Sequence, residues 1–99
     1  MKYSNNYSKL SLEEYTTIRR YSKGKVGKIV KEDYPDGWHF AKIINVERKP
    51  LIQITTEFLL ADTDCKTREN AIELINSFYK KPIDETKEKL YIYHLKRVK

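Results

Sequence analysis

The feature that most constrains this chain is the run Trp38 to Val46, which follows the turn signal Tyr34-Pro35-Asp36-Gly37 and contains Phe40-Ala41-Lys42-Ile43-Ile44. Pro and Gly stand where a tight turn can use them. A long β-rich run behind such a turn is expected to be a strand buried for much of its length, the core strand of the fold.

The other segments arrange themselves around it. Leu10 to Tyr15 can form a short helix with Ser11 as N-cap and Glu13 and Glu14 in its first turn, where the helix dipole favours acids. Thr16 to Tyr21 is rich in β-formers, which puts Thr16, Ile18 and Arg20 on one face and Thr17, Arg19 and Tyr21 on the other. Ser22 to Lys25 forms a turn into a strand through Val26, Ile29 and Val30, where Gly27 suggests a bulge or a close backbone approach.

After Leu51-Ile52-Gln53-Ile54, either Thr55 or Thr56 caps a short helix holding Phe58, Leu59 and Leu60, and Asp62 to Lys66 is looplike. Thr67 caps the clearest helix, Arg68 to Tyr79, in which Ala71, Ile72, Ile75, Phe78 and Tyr79 recur at helical spacing before Lys80-Lys81-Pro82 ends it. Leu90 to Leu95 is the closing strand.

A chain of 99 residues has room for one domain. Residues 1–9 are polar and are expected to be a flexible arm, with residues 10–99 as the domain. The order of elements fits an α+β fold, a curled β-sheet or small β-barrel with two or three helices packed against it.

The formal net charge is +6, which favours polyanions and acidic partners. Six Lys/Arg fall within Arg19 to Lys31. Arg19 and Arg20 could serve as forks and Lys23, Lys25, Lys28 and Lys31 as point charges on phosphates, although lysines also guard a sheet edge against pairing. Tyr15, Tyr21, Tyr34 and Trp38 are interleaved with this charge. Their rings could stack on unpaired bases or pack at the rim of the core.

Asp62 and Asp64 could hold a metal, but two carboxylates without a third ligand more often close a loop or cap a helix. The single cysteine, Cys65, cannot form an internal disulfide, and with only His39 and His94 there is no zinc spacing. No metal or cofactor is expected. No apolar run has the length of a membrane span and the N-terminus lacks the apolar segment of a signal peptide; no membrane partner and an intracellular, cytoplasmic location are therefore expected. High Lys, Arg, Glu and Ile with one Gln, one Met and one Cys match the usage of proteins from very hot environments.

Taken in order, Thr17-Ile18-Arg19, Lys25 to Val30, Phe40 to Ile44, Leu51 to Thr55, the Thr67 to Tyr79 helix and the Leu90 to Leu95 strand resemble an ASCH domain, a small relative of the PUA family of RNA-associated β-barrels. The resemblance covers roughly residues 10–97. It implies a PUA-like fold and, for some bacterial members, amidohydrolase activity on acetylated cytidine nucleosides through a Lys nucleophile, a Thr and an acid. Thr17 and Arg19 match the family's Thr and Arg, and Asp64 falls where the acid is expected. Glu14 occupies the position of the family's lysine, and a carboxylate cannot act as an amine nucleophile, so the activity carries over only if another lysine such as Lys23 or Lys25 reaches that space. The chain also resembles small uncharacterised proteins of filamentous viruses of hyperthermophilic archaea.

The expected function is therefore a non-catalytic module that binds nucleic acid or a nucleotide between the Thr17 strand and the Asp62 to Lys66 loop. Thr17 and Asp64 would hydrogen-bond a base or ribose, Arg19, Arg20, Lys23, Lys25 and Lys28 would hold phosphates, and Trp38 would stack. The alternatives are a divergent amidohydrolase, and a viral accessory protein or homodimer using Tyr91 and Tyr93 as its interface.

Overall fold

The computed structural model describes residues 1–98; Lys99, the last residue of the expected domain, lies outside the described residues. A 3-10 turn at Ser8–Ser11 precedes strand β1 (Glu14–Arg19), which is followed by β2 (Ile29–Tyr34) and β3 (Gly37–Pro50). A second 3-10 turn at Leu51–Gln53 leads into helices α1 (Thr56–Thr63) and α2 (Arg68–Ser77), and β4 (Lys89–Arg97) ends the fold. The four strands form one antiparallel sheet in the order β1-β4-β3-β2, an α+β architecture in which the last strand lies between the first and the third.

The Tyr34 to Gly37 signal does make the β2–β3 hairpin, with those two residues paired across Pro35-Asp36. From there β3 runs for 14 residues, pairing with β2 over its first half and with β4 from Ala41 onward. The register shifts between Ile43 and Asn45, so Ile44 is an extra residue, a bulge that bends the strand. The expectation of a strand buried for much of its length is corrected here. His39, Ala41 and Ile43 point inward, while Trp38, Phe40 and Ile44 are exposed, because one face of the hairpin has nothing packed on it.

Three further expectations change. Glu14 and Tyr15 open β1 instead of closing a helix, since burying the Tyr15 ring beside Leu95 outweighs a short acidic helix. β2 starts at Ile29 and not at Val26, with Gly27 in the preceding turn at φ +96°. The N-terminal arm is also packed: Tyr3, Tyr7 and Lys9 are buried, and the backbone of residues 1–3 pairs with Asp33 on the β2 edge.

Two apolar clusters result. One lies between the sheet and the helices, with Leu59, Ala71 and Ile75 against Ile18, Leu90 and Ile92. Thr55 and Thr67 cap the two helices by accepting from the amides of Phe58 and Asn70, and the Arg68 guanidinium donates to the carbonyls of Leu51 and Ile54. The other lies inside the curl, where Tyr3, Tyr7 and Leu10 cover Tyr15, Ile43, Tyr93 and Leu95.

The curl brings the two sheet edges together without closing a ladder between them. The Tyr15 hydroxyl on β1 donates to Glu32 Oε1 on β2 at 2.9 Å, and Glu32 is completely buried. The Tyr3 hydroxyl donates to the same oxygen at 2.9 Å, and the Met1 amino group lies 2.9 Å from Oε2. Tyr15→Phe removes one donor from a buried carboxylate, and we expect a loss of about 1–3 kcal/mol in urea unfolding. Tyr34→Phe, whose partner is the His39 ring nitrogen at a part-buried site, should cost less.

Candidate functional site

Asp62 and Thr63, expected in a loop, end helix α1 instead, and the space between them and Thr17, where a pocket is expected, is filled by the protein's own N-terminal segment. Tyr3, Tyr7 and Lys9 line it together with Thr17 and Asp62, leaving a cavity of about 20 Å³, room for about one water molecule. Lys9 Nζ donates to Asp62 Oδ1 at 2.8 Å in a buried ion pair, and lies 5.4 Å and 5.5 Å from the ring centroids of Tyr3 and Tyr7. Burial pulls the Lys9 amine below its ordinary value, with Asp62 opposing that shift.

Above this filled pocket lies an open groove of about 390 Å³. Tyr21 and Tyr79 meet edge to face at its rim with centroids 5.9 Å apart, and Phe78 stands exposed beside them. Tyr3 and Tyr7 form the inner wall, and the Arg19 guanidinium lies 4.7 Å from the Tyr3 ring centroid. Lys2 and Lys23 supply further cations, and among the described residues no carboxylate lines the groove. A second cavity of about 460 Å³, bounded by Lys80 and Lys81, shares Tyr21, Phe78 and Tyr79 with it.

The cationic run of residues 19–31 is divided by this geometry. Arg19 faces the groove but also donates to the Lys2 carbonyl at 3.2 Å. Arg20 is engaged: its guanidinium donates to both oxygens of Glu88, at 2.6 Å and 2.9 Å, and to the Lys81 carbonyl. The carboxylate missing from the local sequence is thus supplied from the segment before β4. The Lys23 amide donates to the Tyr93 hydroxyl at 2.6 Å, which sets Lys23 on the groove rim. Gly24, at φ +138°, allows the turn that follows; a Cβ there would stand 2.5 Å from Lys28 Cδ. Lys25 and Lys28 are exposed on that turn, outside the groove lining.

The remaining expected site residues lie elsewhere. Thr17 is buried beneath Tyr3 at the filled pocket. Asp64 ends α1 in the left-handed conformation at φ 57° and accepts from the Ser8 amide and hydroxyl, so it fastens the N-terminal segment. Trp38 is exposed on the outer sheet face, away from the groove. Tyr93 is completely buried and Tyr91 stacks on it under Arg48, so the expected dimer interface through these two rings is not a free surface. Among the described residues no group of three metal-ligating side chains comes together, and no helix is long and apolar enough to cross a membrane.

Sequence reasoning missed Lys2, Tyr3, Tyr7, Lys9 and Lys81. The available signal for the first four was the two tyrosines and two lysines of the N-terminal segment; a tyrosine outside an apolar run still needs somewhere to put its ring.

His39 is a further buried group. Its Nε2 pairs with the Tyr15 hydroxyl at 2.7 Å, and Nδ1 lies 3.0 Å from the Arg97 guanidinium. Burial, followed by the Arg97 charge, holds its pKa below the ordinary 6.5. The unfolded chain therefore binds the proton first as pH falls, and stability should drop on acidification from about 6.5 toward the depressed folded value. Urea midpoints against pH should show that slope, and His39→Gln should flatten it. Lys9→Met, which leaves Asp62 buried without its partner, should cost about 3–5 kcal/mol, with Lys9→Met/Asp62→Leu recovering much of the loss in the same assay.

The chain is thus a small basic α+β protein with an aromatic, cation-lined groove. No family model and no solved structure matches it. It is 38% identical over 109 aligned positions to the uncharacterized protein MJ0364 of Methanocaldococcus jannaschii, with 99% of this chain and 95% of the relative covered. The chain belongs to the family of that archaeal protein.

Proposed function

We propose that this protein is a small nucleic-acid- or nucleotide-binding module with a PUA-like, ASCH-type curled sheet, and that its ligand lies in the Tyr21–Tyr79 groove. The observation that carries this reading is a concave surface with several aromatic rings and, among the described residues, three cationic side chains and no lining carboxylate. Rings of this kind stack on bases whatever their sequence, while Lys and Arg neutralise phosphates. Lys2, Arg19 and Lys23 take the phosphate role, and Lys25 and Lys28 add to the field around the groove mouth. Thr17 and Asp64 act beneath it, by supporting Tyr3 and fastening Ser8, and do not touch the ligand.

The test is a titration of labelled single-stranded RNA, single-stranded DNA and duplex DNA at several salt concentrations. Three phosphate contacts on a single strand predict a slope near −2 in log K against log salt, at about −0.7 per contact. Tyr21→Ala should weaken single-strand binding by about 1–3 kcal/mol, and Lys23→Ala should lower the slope by roughly one contact. Salt-independent binding, or none, removes the reading.

One observation favours a second reading, the divergent amidohydrolase. Neither Lys23 nor Lys25 reaches Thr17, but Lys9 does share its cavity, with burial lowering the amine and Asp62 at 2.8 Å. The direction of that shift is the one a nucleophilic amine needs. Turnover of acetylated cytidine that is lost in Lys9→Met and retained in Asp64→Ala supports this reading; no turnover of related amides discards it.

A further inference from the structure

The outer face of the β2–β3 hairpin carries an aromatic patch that the groove does not use. Trp38 and Phe40 project from the exposed side of β3 and meet edge to face with centroids 5.4 Å apart. Their cross-strand neighbours on β2 are Asp33 and Lys31, and the Lys31 ammonium lies 4.9 Å from the Trp38 ring centroid. Lys42 follows on the same face, paired with Ile29 on one side and Lys96 on the other. Trp38 is 56% exposed and Phe40 45% exposed, a large share of ring surface to leave in water on one strand.

We propose that this face is a second binding surface for single-stranded nucleic acid, and that a strand held in the groove continues onto it. The inference rests on the groove reading above. Charge decides the occupant. Lys31, Lys42 and Lys96 surround the rings, and the two carboxylates on the face each sit beside a lysine: Asp33 is 3.7 Å from Lys31, and Glu14 is paired with Lys96. A second copy of this chain would set those three ammonium groups against their own images, whereas a phosphate backbone complements them. Exposed rings on an antiparallel sheet, flanked by cations, are a surface on which unpaired bases stack.

The two surfaces also adjoin. Lys2 lines the groove, and its backbone bridges β2 at Asp33, the cross-strand partner of Trp38. A strand leaving the groove over Lys2 arrives at the Trp38 ring. Because the groove and the face lie on either side of the β2 edge, occupying both takes a longer strand than the groove alone.

Trp38 is the single tryptophan of the chain, so its emission reports on this face alone. The experiment titrates the full chain with end-labelled oligonucleotides of about three and about twelve nucleotides, below and within the span of known single-strand sites. Label anisotropy and Trp38 emission are read together. The longer strand should quench Trp38 and the shorter should not. Trp38→Ala should weaken the longer strand roughly 5- to 150-fold and leave the shorter unchanged, with circular dichroism confirming that the variant folds. If the longer strand binds by anisotropy while Trp38 emission and the Trp38→Ala affinity stay as they were, the second surface is overturned and the groove stands. If Tyr21→Ala/Lys23→Ala binds both strands as tightly as the wild type and Trp38 is still quenched by the long one, the face is upheld and the groove reading fails. Binding of neither strand overturns both. A concentration-dependent shift of Trp38 emission without nucleic acid, with a dimer in light scattering, assigns the face to a second copy and overturns the proposal.

Discussion

A carboxylate shut away from solvent must find its hydrogen-bond donors inside the fold, and in this protein that carboxylate is Glu32. Its donors come from opposite ends of the architecture: Tyr15 from the far edge of the sheet, Tyr3 and the Met1 amino group from the N-terminal segment. The sheet has to curl for the first to arrive, and the segment has to pack for the other two. Burial, with the Glu32 charge adding to it, pushes both tyrosine hydroxyls far above their ordinary pKa. They therefore remain donors through the whole working range of pH, and the arrangement does not depend on their titration.

The groove follows from the same requirement. Once Tyr3 turns inward to reach Glu32, Tyr7 and Lys9 fill the space over Thr17, and the outer surface of that filling becomes the inner wall of the open cavity. Tyr79 and Phe78, at the end of α2, face it across the opening. The space beneath is thereby made a closed interior under a shallower, cationic surface. Arg20 shows the same economy on the outside, since its pairing with Glu88 removes one charge from the free cationic surface and ties β1 to the segment before β4.

Much of the fold could be read from local chemistry. The Pro-Asp hairpin, the Thr55 and Thr67 caps and the closing strand each depend on residues adjacent in sequence, and each was found within a residue or two. What escaped depends on partners distant in sequence. Glu32 looks like a surface residue of an edge strand until Tyr3 and Tyr15, 29 and 17 positions away, are placed beside it. Lys9 likewise needs Asp62, 53 positions on. The site was legible as a composition, rings interleaved with cations, but its membership was not. Arg20 and Asp64 have structural partners that no local pattern displays, whereas the β1 strand and the turn after it carry Arg19 and Lys23 to one rim.

The N-terminal segment is held at both ends, by Tyr3 on Glu32 and Asp33 and by Ser8 and Lys9 on the end of α1, while Ser4, Asn5 and Asn6 between them are exposed. A wall fastened in this way makes occupancy and architecture reciprocal. Whatever fills the groove favours the closed arrangement by mass action, and any detachment of the segment dissolves the wall against which a ligand rests. The affinity of the groove for any ligand would then depend on how firmly those nine residues are held, so a substitution at Asp62 or Glu32, neither of which a ligand would touch, would tune binding from beneath.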